Sequence, residues 1–206
     1  LSKGHVSIVY YAALCRAGYF SEEELLSFNS DGSPFPTHSV ANANKGIEIS
    51  SGSLGWGLSI GIGYALAARK KNAKWRTYVL LGDGECNEGS VWEAFMTAAR
   101  MKLDNLTAII DCNGMQLDGA NAVMQPDKLQ SMLDACGWKT ATVGGHDVFC
   151  LNKVISQKPE GKPYVVITKT VKGKGVSFME NNCDWHHGRI SAEQYEASVI
   201  EVISNV

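Results

Sequence analysis

Two short segments place oxygen-bearing side chains beside glycine at the ends of apolar runs. Gly82-Asp83-Gly84-Glu85-Cys86-Asn87-Glu88-Gly89 follows Thr77 to Leu81, and Cys112-Asn113-Gly114-Met115 follows Leu106 to Asp111. The carboxylate of Asp83 and the amide oxygen of Asn113, thirty positions later, make part of a shell for a hard cation. Mg²⁺ wants about six oxygens and usually takes several from water and substrate phosphates. The main-chain carbonyl of Met115 supplies a third protein oxygen in this reading, and a diphosphate the next two. Glycines flanking Asp83 leave bare amides that an anion can approach closely. Each segment alone is also an ordinary turn signal. It is their pairing, with room for one helix and one strand between them, that favours a site.

The elements around these segments must bring them together. Thr77–Leu81, Leu106–Asp111, Trp138–Val143 and Tyr164–Lys169 read as short apolar strands. Helical patterns separate them over Glu88–Lys102, Pro126–Cys136 and Val148–Gln157, with a last helix from Ser191. Strands that are nearly continuously apolar and alternate with helices predict a doubly wound α/β domain, a mostly parallel sheet with helices on both faces. In such a sheet ligands bind beyond the carboxyl ends of the strands, where both segments lie. Upstream, Val6–Ala17 has helical spacing, and Ser21 with Glu24 makes a capping-box start to a shorter helix. Asn29–Ser53 is rich in Ser, Asn, Gly and Pro and reads as a long loop, a class that is usually functional when ordered. A helix from about Leu54 to Lys71 follows. Its Gly57/Gly61 and Ser59/Gly63 pairs are four apart, leaving a face that another backbone can approach.

Composition narrows the function. Of 206 residues 45% are hydrophobic, which excludes disorder as a description of the whole chain. Only 19% are charged and 21 are glycine, so much surface is expected to be hidden, as in a subunit interface. A net charge of −2 gives no footprint for nucleic acid. The six cysteines form no C-x-x-C pair or zinc spacing and read as reduced thiols in a cytoplasmic protein, with Cys86 and Cys112 given no role beyond packing. Ile49–Ala68 carries no charge over 20 residues, but its Ser- and Gly-rich first half argues for a buried helix over a membrane span.

Gly-Asp-Gly followed by Asn113 resembles the thiamine diphosphate motif, and the wider pattern resembles the amino-terminal half of the transketolase family. Leu1-Ser2-Lys3-Gly4-His5 resembles that family's L-S-x-G-H, and Pro36-Thr37-His38 its P-G-H. Ser50 to Gly57 resembles its T-G-S-L-G-Q-G, and His187-Gly188 its late H-G. The family's S-G-H-P-G segment would lie before Leu1, so residues 1–206 read as a single diphosphate-binding domain lacking its first segment. Thr37 and Ser39 beside His38, and Trp56 in place of Gln, depart from the family pattern at the substrate funnel. The short Asn72-Ala73-Lys74 connection suits a small split-subunit type.

The resemblance implies roles. Asp83, Asn113 and the Met115 carbonyl would hold Mg²⁺, with Gly84 touching the diphosphate and Gly52 and Leu54 around the thiamine rings. His5 and His187 would bind the diphosphate or steer protons, although adjacent His186 could take over from His187. His38 would hydrogen-bond the ketose hydroxyls. Glu88 would support the loop and subunit contact, and Val171-Lys172-Gly173-Lys174-Gly175 would be a mobile lid. His146 is left structural. The glutamate that faces the aminopyrimidine belongs, in this family, to a pyrimidine-binding domain that nothing here matches. A pyrimidine-binding partner, within a homo- or hetero-oligomer, is therefore implied. The expected activity is transfer of a two-carbon ketol unit from a ketose to an aldose. A deoxyxylulose phosphate synthase-like or other thiamine enzyme subunit, and a non-catalytic partner-binding subunit, share enough of these motifs to stay open.

Overall fold

A computed structural model describes residues 1–204. Four strands form one parallel sheet: β1 (Thr77–Gly82), β2 (Leu106–Cys112), β5 (Lys139–Gly144) and β6 (Tyr164–Lys169), in the order β1-β2-β6-β5. The sequence reading of this sheet holds, strand for strand. It did not anticipate a two-residue-per-strand hairpin, β3 (Met115–Gln116) with β4 (Gly119–Ala120), directly after Asn113. The register aligns Gly82 with Asp111 and Cys112 with Lys169, so β1, β2 and β6 end level with one another.

The helices are α1 (Ser7–Arg16), α2 (Glu22–Leu25), α3 (Gly57–Lys70), α4 (Gly89–Arg100), α5 (Pro126–Ala135), α6 (Val148–Ile155) and α7 (Ala192–Ser204). Strand-to-strand crossovers are right-handed. The chain moves one way from β1 to β2 and on to β5, then reverses to reach β6, so α4 and α5 share a face and α6 takes the other. The main core fills the first face. Leu106, Ala108, Ile110 and Cys112 of β2 alternate inward, meeting Leu58, Ile62 and Ala65 of α3, Val91, Phe95 and Ala98 of α4, and Leu129 and Leu133 of α5. Trp138 closes the layer, edge-on to Phe95 at 5.0 Å, with its indole N–H donating to the Phe95 carbonyl at 2.8 Å. A satellite cluster of Tyr11, Cys15, Phe20, Phe35 and Ile47 anchors the long loop over 29–53, which otherwise holds only one 3-10 turn and an isolated bridge.

Helix starts follow local chemistry. Ser21 and Glu24 exchange both capping-box hydrogen bonds at α2. Pro126 sits in the first turn of α5. α3 begins at Gly57, not Leu54, because Gly55 has φ +84°, a left-handed conformation incompatible with a helix interior. The glycine stripe of α3 is used on one side only. A methyl at Gly57 would stand 2.4 Å from the Ser2 side chain and one at Gly61 2.4 Å from Val79 Cγ2, whereas Gly63 faces open space. No helix among the described residues is long and apolar enough to cross a membrane.

The two glycines of one helix therefore respond oppositely to alanine. Gly63→Ala should raise the free energy of unfolding by about 0.5–1 kcal/mol through helix propensity. Gly61→Ala should lower it by about 1–3 kcal/mol by forcing α3 off β1. Denaturant melts of the two variants beside the parent chain check both signs.

Candidate active site

The level ends of β1, β2 and β6 release three loops into one space. The first, Gly82-Asp83-Gly84, turns into a 3-10 segment (Glu85–Asn87). Asp83 is buried, 2% exposed, and its carboxylate accepts from the amides of Gly84 and Gly114, both at 2.7 Å. The side chain from the end of β1 thus grips the backbone just beyond Asn113, and the Asp83 amide returns to the Asp111 carbonyl at 3.1 Å. The Asn113 side-chain oxygen accepts the Met115 amide at 3.0 Å, a local turn that starts the β3–β4 hairpin. Gly84 lies under that hairpin, where a methyl would stand 3.1 Å from Gln116 Cβ. Asp83, Asn113, Met115 and Gly84 are therefore neighbours, as their spacing predicts.

Electrostatics separate two adjacent acids. Burial raises the Asp83 pKa above its ordinary value; the Gly114 and Gly84 amides only partly oppose this, and nearby Asp111 adds to the rise. Burial would also raise Asp111, but the ammonium of Lys3, which pairs with Asp111 Oδ2, and the Thr170 hydroxyl bring it below the usual range. Among the described residues no group of three or more His, Cys, Asp or Glu side chains could hold a metal. One buried, incompletely compensated carboxylate, an amide oxygen and a carbonyl suit a hard cation whose remaining ligands arrive with a phosphate group and water. The residues fit a Mg²⁺-diphosphate. Cys86 and Cys112, by contrast, are inert: burial pushes the Cys86 thiol well up and that of Cys112 to about 12.

The second wall carries the imidazoles. His5 lies in a 3-10 turn (Gly4–Val6) packed so tightly that a methyl on Gly4 would meet Ser51 Oγ at 2.4 Å and the Gly52 amide nitrogen at 2.9 Å. A methyl on Gly52, which has φ +148°, would lie 3.8 Å from His38 Cδ2, so His38 borders the same loop. Ser39 ties the two segments, its carbonyl accepting the Ser51 amide at 2.8 Å and its hydroxyl meeting Ser51 Oγ at 2.8 Å. Leu54 is part-exposed and Trp56 is 62% exposed. Opposite His5 stands His186, ring centroids 5.5 Å apart, while His187 is exposed. The structure brings His186, not His187, to this wall. Asn182 caps the 3-10 turn Cys183–His186, and the extended backbone at His187 (φ −147°) then turns the next ring outward. His186 Nδ1 is buried, with no hydrogen-bond partner among the described residues.

Two lysines complete the cluster and escaped the sequence reading. Lys3, 8% exposed, fills the unspecified position of L-S-x-G-H. Lys172 is half-buried, and burial followed by the charge of Lys3 lowers its pKa. The expected lid is a loop bonded to itself and to the turn that follows β5. Val171 donates to His146 Nε2 at 2.8 Å, Asn181 to the Lys172 carbonyl at 3.0 Å, and Gly175 to Glu180 at 3.0 Å. Its glycines were the visible signal; Lys172, just before them, was the informative residue.

Residues 1–200 match the family model described as transketolase, thiamine diphosphate binding domain. The chain belongs to the transketolase family. It is 40% identical over 203 residues to one of the subunits of the apulose-4-phosphate transketolase of Actinobacillus succinogenes, covering 98% of this chain and 74% of that protein. A 6-deoxy-6-sulfo-D-fructose transketolase subunit of a Clostridium species is 37% identical over 205 residues, at 98% and 74% coverage. The crystal structure of transketolase from Campylobacter jejuni superposes with a TM-score of 0.91 at 30% identity, covering 98% of this chain and 33% of that one. The chain thus spans about three quarters of those subunits and one third of that transketolase.

The crowded imidazoles give a pH signature. His5 keeps exposed surface, yet partial burial, followed by the positive potential of His186, Lys3 and Lys172, lowers its pKa from 6.5 to about 4. An unfolded chain therefore takes up this proton first, and stability falls as pH drops from about 6.5 toward 4. His5→Gln should flatten that loss between pH 6.5 and 5, above most carboxylate titrations, in denaturant melts run at each pH. An unchanged slope would show that His5 titrates normally.

Proposed function

We propose that this transketolase-family chain is the diphosphate-binding subunit of a split transketolase, acting on sugar or sugar phosphate substrates with a pyrimidine-binding partner. The observation that carries this reading is the Asp83 carboxylate, buried and held between the Gly84 and Gly114 amides at the level ends of two adjacent strands. Asp83, the Asn113 amide oxygen and the Met115 carbonyl are the chain's ligands for Mg²⁺. Gly84 admits the diphosphate to the turn, and Lys3 and Lys172 face the anion's charge. Gly52 and Leu54 pack against the ring system. Thiamine diphosphate supplies the electron sink for breaking and remaking a carbon–carbon bond; the protein supplies position, charge and exclusion of water.

His5 and His186, both held neutral near pH 7 by their surroundings, can accept or donate hydrogen bonds to hydroxyl groups and relay protons. His186 takes the role that the late H-G resemblance suggested for His187. His38, across Gly52, holds ketose hydroxyls. Apulose-4-phosphate and 6-deoxy-6-sulfo-D-fructose, named for the relatives, are the first donors to test. Residues 1–206 function as one domain within an oligomer, in the cytoplasm, where the six thiols stay reduced.

The resemblance assigns the glutamate that faces the aminopyrimidine to the pyrimidine-binding partner, so residues 1–206 alone are expected to show no ketol transfer and to gain it on mixing with that subunit. Turnover by the purified chain would refute this division. With Mg²⁺ present, thiamine diphosphate at about a hundred times its Kd should stabilise the wild type by roughly 2.7 kcal/mol. Asp83→Ala should abolish that gain, and a variant with the full ligand-induced rise in Tm would remove Asp83 from the metal site.

A further inference from the structure

Glu85 lies two residues beyond Asp83, and its side chain folds back beneath the end of β1, 3% exposed. One carboxylate oxygen accepts from the Gly55 amide at 2.8 Å and the Ser2 hydroxyl at 2.5 Å, and the other from the Gly82 amide at 3.2 Å. These donors belong to three separate segments, each carrying candidate site residues. Ser2 precedes Lys3 and His5, Gly55 follows Gly52 and Leu54, and Gly82 precedes Asp83 and Gly84. We propose that Glu85 is a positioning residue, whose carboxylate fixes the Gly52–Gly55 loop and the Ser2–His5 segment against the Gly82–Gly84 turn. The consequence for cofactor affinity rests on the reading above that this turn holds a diphosphate.

The donor pattern requires a carboxylate. Gly55 and Gly82 can each offer only an N–H, and they approach different oxygens, so both oxygens must accept. A glutamine of the same shape always turns its NH₂ toward one of these amides, replacing attraction with a clash of donors. The tie also falls where few others exist. Among the described residues, the hydrogen bonds of 52–55 to other elements run through Gly55 alone, its N–H to Glu85 and its carbonyl from Ser90 at 3.2 Å. The sheet and α3 are joined independently, through Gly61 against Val79 and the apolar core. Losing Glu85 should therefore release the loop without dismantling the fold.

The test compares wild type, Glu85→Gln and Ser2→Ala as full-length chains assembled with the pyrimidine-binding partner, after melts establish that each is folded at the assay temperature. Loss of a buried hydrogen bond to a charged group should weaken thiamine diphosphate binding by about tenfold or more in Glu85→Gln. Because saturating cofactor draws the loop into place, kcat should stay within about twofold. Ser2→Ala, which removes one of three donors, should weaken binding by about threefold. In the cofactor-free assembly, hydrogen exchange at the Gly55 amide should quicken by about tenfold in Glu85→Gln. Wild-type affinity in a folded Glu85→Gln would overturn the effect on the cofactor, and wild-type exchange at Gly55 would overturn the positioning role itself. Should Glu85→Gln fail to fold, unchanged affinity and Gly55 exchange in Ser2→Ala would overturn the proposal. A wild type that binds no thiamine diphosphate would sink the diphosphate reading, while the exchange measurement would still decide whether Glu85 holds the loop.

Discussion

A carboxylate drawn out of water must find donors or a cation, and at the end of this sheet two buried acids and one part-buried acid meet that demand in three ways. Glu85 is satisfied by three hydrogen-bond donors. Asp111 is satisfied by an ammonium, Lys3, and the Thr170 hydroxyl. Asp83 has two backbone amides, and burial still outweighs them. This graded satisfaction distinguishes scaffold from site. A group whose burial is offset by its protein partners gains little from a ligand, whereas a group that is buried but under-compensated gains from one. Asp83 is the acid left in that condition, at the position where the Asn113 turn arrives.

Getting three segments to converge on one edge requires backbone to approach backbone, and small residues permit it. A methyl on Gly4 would collide with Ser51 and Gly52, one on Gly57 with Ser2, and one on Gly55 with Ser90 and Glu88. Each contact joins a loop bearing site residues to another such loop or to the first turn of a helix beneath it. The glycine content that set this chain apart in composition is thus partly explained by positioning. The exposed Gly63 shows that not every glycine in a stripe is used, and that sequence spacing alone does not tell which side of a helix receives a neighbour.

How much could be read beforehand follows from the range of each interaction. The parallel sheet, the adjacency of β1 and β2 and the Asp83–Asn113 pairing were legible, because apolar runs and turn residues encode them within about thirty positions. The capping box at Ser21 and the proline start of α5 were legible for the same reason. Lys3 and Asp111 are 108 positions apart and Ser2 and Glu85 are 83 apart, so no local pattern announces either pair. The choice between His186 and His187 was undecidable for a different reason. Adjacent residues are separated there by a change from 3-10 to extended backbone at His187, which no residue pattern in the segment announces. The glycine-rich run after β6 drew attention as a lid, yet its lysine carries the charge that reaches the site.

The basic groups facing that edge are as crowded as the acids. His5, His186 and Lys172 are each pushed toward their neutral forms, by burial first and then by one another's charge and that of Lys3. Like charges crowded together are costly unless something offsets them, and Asp111 is already engaged by Lys3. Among the described residues, an acid whose burial outweighs its partners therefore stands beside a cluster of bases whose burial and mutual repulsion outweigh theirs. A ligand bringing either charge alone would relieve one deficit and worsen the other, because the two lie within reach of each other's field. A divalent ion bound to a diphosphate would bring both charges together, and in the proposed reading Asp83 and Asn113 would hold the metal while Lys3, Lys172 and the imidazoles would meet the diphosphate. That complementarity of two opposite deficits makes the proposed cofactor a better match than a free cation or a free anion.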